Sequence, residues 1–472
     1  MNASNPGDNP YTQSRDKIVE PPTNFLGMLK YLGPGFVISA SIVGSGELIA
    51  TTILGAKAGF IAFWIIIISC LVKVTLQLEF GKHAIHSGES TMLSFNRLPG
   101  PRFGSAGWSV WLLLGIMIVK FLQMGGIVGT VGIVLNIVAP LPLPDLWPDG
   151  DTEGFSMPSE SLTAWCLIVA CVVASLVFRG YYLVIEKLSL VMIGLFTILT
   201  FACVFSLQST EFAFSWSDIG EGLRFGLPAE GAILIAAIGA FGLTGIGGDE
   251  IMAYNYWLLE KGYAARTGPR DDSEEWLNRA RGWIRVMRWD AVLSMVAYTI
   301  VTAAFYILGA AVLHPQGLVP EKSELVDTLS RMYTDTLGPW ARNAFLAGAI
   351  VVLFSTLFAA LAAWTRIFAD GLGQLGLLDF NDRKARLKMI AILAWALPLG
   401  WTAVFFFVQL PAVMVLIGGI LATIILVIVA VASFHFRYRR LPEGLKPTRT
   451  YDFFLWLSAI VIVGAGIYVL VF

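Results

Sequence analysis

Charge is what this sequence has least of. Only 14% of its 472 residues are charged, where an average soluble domain carries roughly a quarter. With 56% hydrophobic residues, the chain reads as a polytopic membrane protein. The net charge of −1, with no basic tail and no aromatic–basic stripe, leaves nothing to attract a nucleic acid. Cysteine is equally scarce. Cys70, Cys166, Cys171 and Cys203 all lie within apolar runs, with neither metal-ligand nor disulfide-framework spacing, and read as small core residues. The four histidines, His83, His86, His314 and His435, sit at span ends or in loops without a paired nucleophile, so no enzyme is expected. His83 and His86 stand at i, i+3, a spacing that suits a metal, but near the end of a span they read as interfacial residues. No short apolar segment with a cleavage site opens the chain, so no cleaved signal peptide is expected. Residues 1–25 are polar and are expected to form a flexible cytoplasmic tail.

What the chain has instead is long apolar runs. A helix needs about 20 apolar residues to cross a bilayer. On that basis eleven spans are expected, near 33–58, 60–80, 107–138, 161–178, 183–207, 229–257, 287–312, 339–369, 387–407, 409–433 and 452–471. Basic residues follow the second, sixth, eighth and tenth spans: Lys82, Arg97 and Arg102; Arg266, Arg270, Arg279, Arg281 and Arg285; Arg383, Lys384 and Arg386; Arg437, Arg439, Arg440, Lys446 and Arg449. Acidic Asp145, Asp149, Asp151 and Glu153 lie on the alternate side. Loop charge then places the N-terminus in the cytoplasm and the C-terminus outside, in a membrane expected to be a bacterial plasma membrane. The loop at 258–286 is expected to be a solvated, partly helical connector between two halves.

Two spans are interrupted, and in the same way. The first contains Gly44-Ser45-Gly46-Glu47, the sixth Ile246-Gly247-Gly248-Asp249-Glu250. Successive glycines make a poor helix, and irregular backbone at membrane depth is tolerated only where it is buried or lines a cavity. Glu47 is the only charge between Lys30 and Lys57, and an ionisable group at that depth is a functional candidate. Breaks at spans one and six make five plus five, and an odd repeat inserts in opposite orientations, so inverted repeats are expected with one extra helix. The corresponding units are 1–25 (tail), 26–208, 209–435 and 436–472.

The stretch from Gly33-Pro34-Gly35 to Gly59 resembles, without a gap, the first span of Nramp-type transporters. The resemblance covers most of the chain from about residue 25. It implies a LeuT-like fold and a secondary transporter working by alternating access. The family's ligand motifs are altered here. Its Asp-Pro-Gly-Asn reads Gly44-Ser45-Gly46-Glu47, and its Met-Pro-His reads Ile246-Gly247-Gly248. The third-span acids that carry protons align with Ile116, Gln123 and Gly126, with Lys120 among them. Methionine sulfur favours soft transition metals and carboxylate oxygen favours hard ions, so manganese or iron is not the expected cargo.

Two readings of the altered site stand. Free N–H groups at the half-helix starts favour an anion, with Ser45 as a further donor and Lys120 and Lys73 raising the potential. Lys120, and with it Lys73, either faces the site or snorkels to the interface. On this reading Gly44, Ser45, Gly46, Glu47, Ile246, Gly247, Gly248, Asp249, Glu250 and Lys120 line the substrate site. Glu47, Asp249 and Gln123 handle a coupling Na⁺ or H⁺, and the substrate is a small inorganic anion such as bicarbonate. On the alternative reading Glu47 and Asp249 hold hydrated Mg²⁺. A transport-inactive membrane sensor is a third possibility. No other cofactor is expected.

Overall fold

The structure is a computed structural model describing residues 9–44, 46–144, 157–179, 182–228, 230–320 and 324–471. It is mainly helical and polytopic, all-α but for one short antiparallel hairpin pairing Arg102–Phe103 with Ala106–Gly107, and its first and sixth spans are divided. The principal helices are α1 (Pro34–Ile42), α2 (Thr52–Ala58), α3 (Phe63–Ser87), α4 (Trp108–Val119), α5 (Phe121–Val138), α6 (Glu160–Phe178) and α7 (Tyr182–Ser206). They continue with α8 (Gly231–Leu243), α9 (Gly248–Lys261), α10 (Glu274–Leu308), α11 (Ala341–Gln374), α12 (Arg383–Val408), α13 (Pro411–His435) and α14 (Arg449–Val471). Among the described residues, nine helical stretches are long and apolar enough to cross a membrane. The other two expected spans fall on the divided pair α1–α2 and on α7.

The ends of these helices follow from local chemistry. Pro34 and Pro411 occupy first helical positions, where a missing N–H costs nothing and φ is already helical. Gly88 and Gly262 close α3 and α9 in the left-handed conformation, which a Cβ would penalise. The acidic segment expected between the third and fourth spans lies outside the described residues.

Small residues bring helices unusually close, as they do where apolar burial cannot drive association in lipid. A Cβ on Gly55 of α2 would stand 2.6 Å from the Tyr306 carbonyl of α10, and one on Gly309 would stand 2.6 Å from the Thr52 carbonyl. Likewise, α8 and α13 meet at Gly242 and Gly419, where either Cβ would run into the facing backbone.

Two expectations change. The 258–286 connector is partly helical, as expected, with Arg270, Asp271, Asp272, Glu274 and Glu275 exposed. It is not solvated throughout: α10 begins at Glu274, capped by Ser273, and Trp276 and Trp283 are fully buried. The expected flexible tail is seated from residue 9 onward. Tyr11 donates to Glu260 at 2.7 Å, the Trp283 indole donates to the Val19 carbonyl at 3.0 Å, and Arg386 lies 4.7 Å over the Tyr11 ring. The tail thus gives Trp283 its hydrogen-bond acceptor, whereas the Trp276 indole donates to the Gly268 carbonyl at 3.2 Å.

One carboxylate fixes the first half-helix. Asp290 of α10 accepts from the N–H groups of Gly33 at 2.8 Å and Gly35 at 2.6 Å, and from the Tyr254 hydroxyl of α9 at 3.1 Å. A negative charge at a helix start is favourable, and it ties α1 to α9 and α10.

Candidate functional site

The two breaks lie against each other. In the first, α1 ends at Ile42, Gly44 follows, and the chain re-enters helix at Gly46 through a π-turn, Gly46–Thr51. In the second, α8 ends at Leu243 and α9 starts at Gly248. Between them Gly245 takes φ +64°, the left-handed region that favours glycine. A Cβ on Gly46 would stand 2.8 Å from the Leu243 carbonyl oxygen. Contact between two irregular backbones therefore depends on a missing side chain.

Glu47 is the first residue of interest at this junction. It is fully buried. Its Oε1 accepts from the Thr302 hydroxyl of α10 at 2.9 Å. Its Oε2 has no hydrogen-bond partner among the described residues, an expensive state for a bare carboxylate oxygen. At the second break, Glu250 is three residues past the N-cap Gly247, and its carboxylate lies where a Cβ on Gly247 would be. A capping-box acid makes the same return to the start of its helix. Both half-helix starts thus carry a carboxylate of the protein itself.

Two lysines balance these acids. Lys120 Nζ lies 2.5 Å from Asp249 Oδ1, and the Trp364 indole donates to Asp249 Oδ2 at 3.2 Å. Lys120 stands at the single-residue interruption between α4 and α5, which aims its side chain into the bundle. Lys73 donates to the carbonyls of Phe241, Thr244 (2.8 Å) and Gly242 (3.4 Å) at the end of α8. With exposures of 1% and 0%, neither lysine snorkels.

Aromatic residues wall the Asp249 side. Trp364 packs edge-on against Trp401 with ring centroids 5.4 Å apart, and Phe121 lies 6.1 Å from Trp364. A cavity of about 20 Å³ is bounded by Val37, Ile38, Asp249, Glu250, Trp257 and Trp364, room for about one water molecule. At the opposite end of the bundle, a recess of about 770 Å³ is lined by Glu211, Asp218, Glu221 and His314 among others. The two ends therefore differ in how open they are.

Of the candidate residues, the structure brings Gly46, Glu47, Gly247, Gly248, Asp249, Glu250 and Lys120 to the two breaks. Gly44 is buried in the first of them, and Ser45 lies outside the described residues. Ile246 is fully buried within the apolar core. Gln123 is one turn on from Lys120 but lies against Gly418 of α13, and its Oε1 has no partner among the described residues. His83 is held by Glu89 and Ser94, each at 3.1 Å, and stacks on Phe436. No cluster of metal-binding side chains includes it among the described residues. Thr302, Trp364, Ser69, Thr244 and Gly245 belong to the site although sequence reasoning missed them. Only Gly245 left a local signal, a further glycine beside the second motif.

Comparison with known proteins bears on the fold and the family. An uncharacterized protein of Pasteurella multocida is 24% identical over 348 residues, covering 72% of this chain and 70% of that protein. The divalent metal cation transporter MntH of Brucella suis is 22% identical over 379 residues, covering 79% and 74%. A crystal structure of a mutant manganese transporter from Eremococcus coleocola superposes with a TM-score of 0.61 at 17% identity, covering 96% and 90% of the two chains. That likeness, shared with other transporters of the LeuT-like plan, shows the fold. Residues 35–472 match the family described as Natural resistance-associated macrophage protein-like, and this chain, an integral membrane protein with the fold of a secondary transporter, belongs to the Nramp family.

Proposed function

We propose that this chain is a cation-coupled transporter of a small inorganic anion, with bicarbonate as the substrate to test first. The observation that carries the reading is the pair of buried ammonium groups, Lys73 and Lys120, on either side of the sixth-span break. The MntH relatives are named for divalent metal, but here Gly44 and Ile246 replace the family's ligands, and a dication would share the junction with two fixed positive charges. Each ammonium repels a dication brought close to it, and the Asp249 carboxylate that could offset this is already engaged by Lys120. An anion gains from the same field, and from the half-helix N–H groups where it displaces the protein's own carboxylates. Glu47 supplies the coupling. Its unpartnered Oε2 is completed by a proton or by Na⁺, and Asp249 is released for the cycle when the substrate's charge competes for Lys120.

The orientation that loop charge sets, with the N-terminal side in the cytoplasm, makes the wider recess external and the Asp249 side the closed cytoplasmic path. A second reading, hydrated Mg²⁺, is favoured by one feature: the same Glu47 Oε2 is a hard oxygen donor without a partner.

The test is flux into proteoliposomes, comparing bicarbonate, Mg²⁺ and Mn²⁺, each with and without a Na⁺ or proton gradient. Gradient-dependent bicarbonate accumulation is expected. Saturable Mn²⁺ uptake without bicarbonate flux overturns the reading. Mg²⁺ uptake abolished by Glu47→Gln replaces it with the second.

A further inference from the structure

Beyond the positive field it adds at the break, Lys73 is among the best-satisfied polar groups in the bundle. It is fully buried on α3. Its ammonium donates to the carbonyls of Phe241, Gly242 and Thr244 and lies 4.9 Å from the Phe241 ring centroid. α8 ends at Leu243, so the Phe241 and Gly242 carbonyls are among the last four, which find no partner inside their own helix. That end of the helix carries partial negative charge. Ser69, one turn earlier on the same face of α3, completes the cradle. Its hydroxyl lies 2.9 Å from the Phe241 carbonyl and 3.1 Å from the Thr244 carbonyl, and it accepts from the Thr244 hydroxyl at 2.9 Å. Carbonyls and a hydroxyl gathered at the end of a broken helix are the donor set that holds a small bare cation. Here an ammonium on a four-carbon stem, compact and with three N–H donors, fills it.

We propose that Lys73 is a tethered cation. It permanently occupies the cation position at the carbonyl end of α8, so that this part of the junction takes up no free ion. Its charge lets the acids facing it from the other elements, Glu47 and Glu250, coexist beside Asp249, with the thiol of Cys70 also close and Lys120 the neighbouring like charge. Coupling through a free Na⁺ is then excluded at the carbonyl end and confined to the Glu47 side. The inference concerns the break itself and holds for any substrate, so its failure and that of the anion reading are separable.

The test uses the full chain in lipid nanodiscs and reads thermal unfolding, not transport. Wild type, Lys73→Ala and Lys73→Met are compared in choline, Na⁺, K⁺ and methylammonium salts at constant ionic strength. The wild-type midpoint is expected to be the same in choline and methylammonium, and the wild-type response to Na⁺, which reports the Glu47 side, is the baseline for the Na⁺ arm of each variant. Lys73→Ala opens the carbonyl cradle, so its midpoint is expected to fall in choline and to recover by several degrees in methylammonium or Na⁺. Lys73→Met fills the space without the charge and is expected to stay low in every salt. Should Lys73→Ala fold only when purified with methylammonium or Na⁺, that is the same result in stronger form. An unchanged midpoint in Lys73→Ala, a wild-type midpoint in Lys73→Met, or a Lys73→Ala protein that no cation restores overturns the proposal.

Discussion

Lys120 Nζ and Asp249 Oδ1 meet at 2.5 Å, across the interruption of the third span and the start of the second half-helix of the sixth. With 1% and 8% of their side chains exposed, each is the other's main charge compensation. Removing one partner of a buried pair typically costs about 3–5 kcal/mol, because the remaining charge is stranded. Lys120→Met and Asp249→Asn are each expected to lose stability on that scale in equilibrium unfolding. The double variant is expected to recover most of the loss. Additive losses in the double variant would show that the two side chains do not act as a pair.

Glu47→Gln removes the group assigned to the coupling cation while keeping the Thr302 contact. Gradient-driven accumulation is expected to vanish while substrate exchange persists. Thr302→Val, which leaves Oε1 without its 2.9 Å donor, is expected to weaken coupling without abolishing it. Uptake at the normal rate in Glu47→Gln, measured in the same proteoliposomes, would return Glu47 to a structural part.

Gly46 touches the other break. Because a Cβ there would stand 2.8 Å from the Leu243 carbonyl, Gly46→Ala is expected to lower the unfolding midpoint and Gly46→Val to block substrate binding altogether. The contact is backbone against backbone and cannot be relieved by a rotamer change. A wild-type midpoint and binding isotherm for Gly46→Ala would mean that the breaks separate freely.

Glu89, in the loop after α3, joins several elements. It accepts from Arg440 at 2.5 Å, from Arg97, and from His83 at 3.1 Å. Burial alone would raise its pKa, but the His83 hydrogen bond and the Arg440 and Arg97 charges hold it at about 2, below the ordinary 4.5. Since the folded pKa is the lower one, the stabilisation is complete above about pH 4.5 and disappears as pH falls towards 2. Glu89→Gln is expected to cost about 1.5–3 kcal/mol at neutral pH and to flatten the acid limb of the stability curve. An acid limb unchanged in the variant would assign that pH dependence to other carboxylates.

Tyr11 and Arg366 converge on Glu260 of α9, at 2.7 Å and at 2.6 and 2.9 Å. This fastens the seated tail over the end of the bundle nearest the small cavity. Tyr11→Phe and Glu260→Gln are expected to raise thiol labelling of a cysteine placed at Ala360, which lines that cavity. Equal labelling rates in variant and parent would mean that the tail does not restrain access.

Much of this was legible before any coordinates. Apolar run length located the spans, and clustered glycines beside Glu47 and Asp249 located the two breaks, because both signals are local. Other features had no local signal. Thr302 and Trp364 are ordinary residues of apolar helices, and nothing in their neighbourhood says that one meets Glu47 and the other Asp249. The burial of Trp276 and Trp283 also escaped notice, because a stretch rich in both signs of charge reads as solvated until the tail that covers it is in place.

What the sequence determined by itself is the class of solution. A chain with so little charge folds in a bilayer, its backbone groups must be paired within helices there, and two glycine-rich interruptions have to face protein rather than lipid. What only the tertiary structure decided is how the charges at those interruptions are partnered. Lys73 and Lys120 lie far in sequence from Phe241 and Asp249. Sequence alone left open whether they reach the membrane surface or the break. Packing settled this by closing α3 and the α4–α5 interruption against the broken sixth span, where the orphan carbonyls of α8 and the carboxylate of Asp249 had no nearer cation.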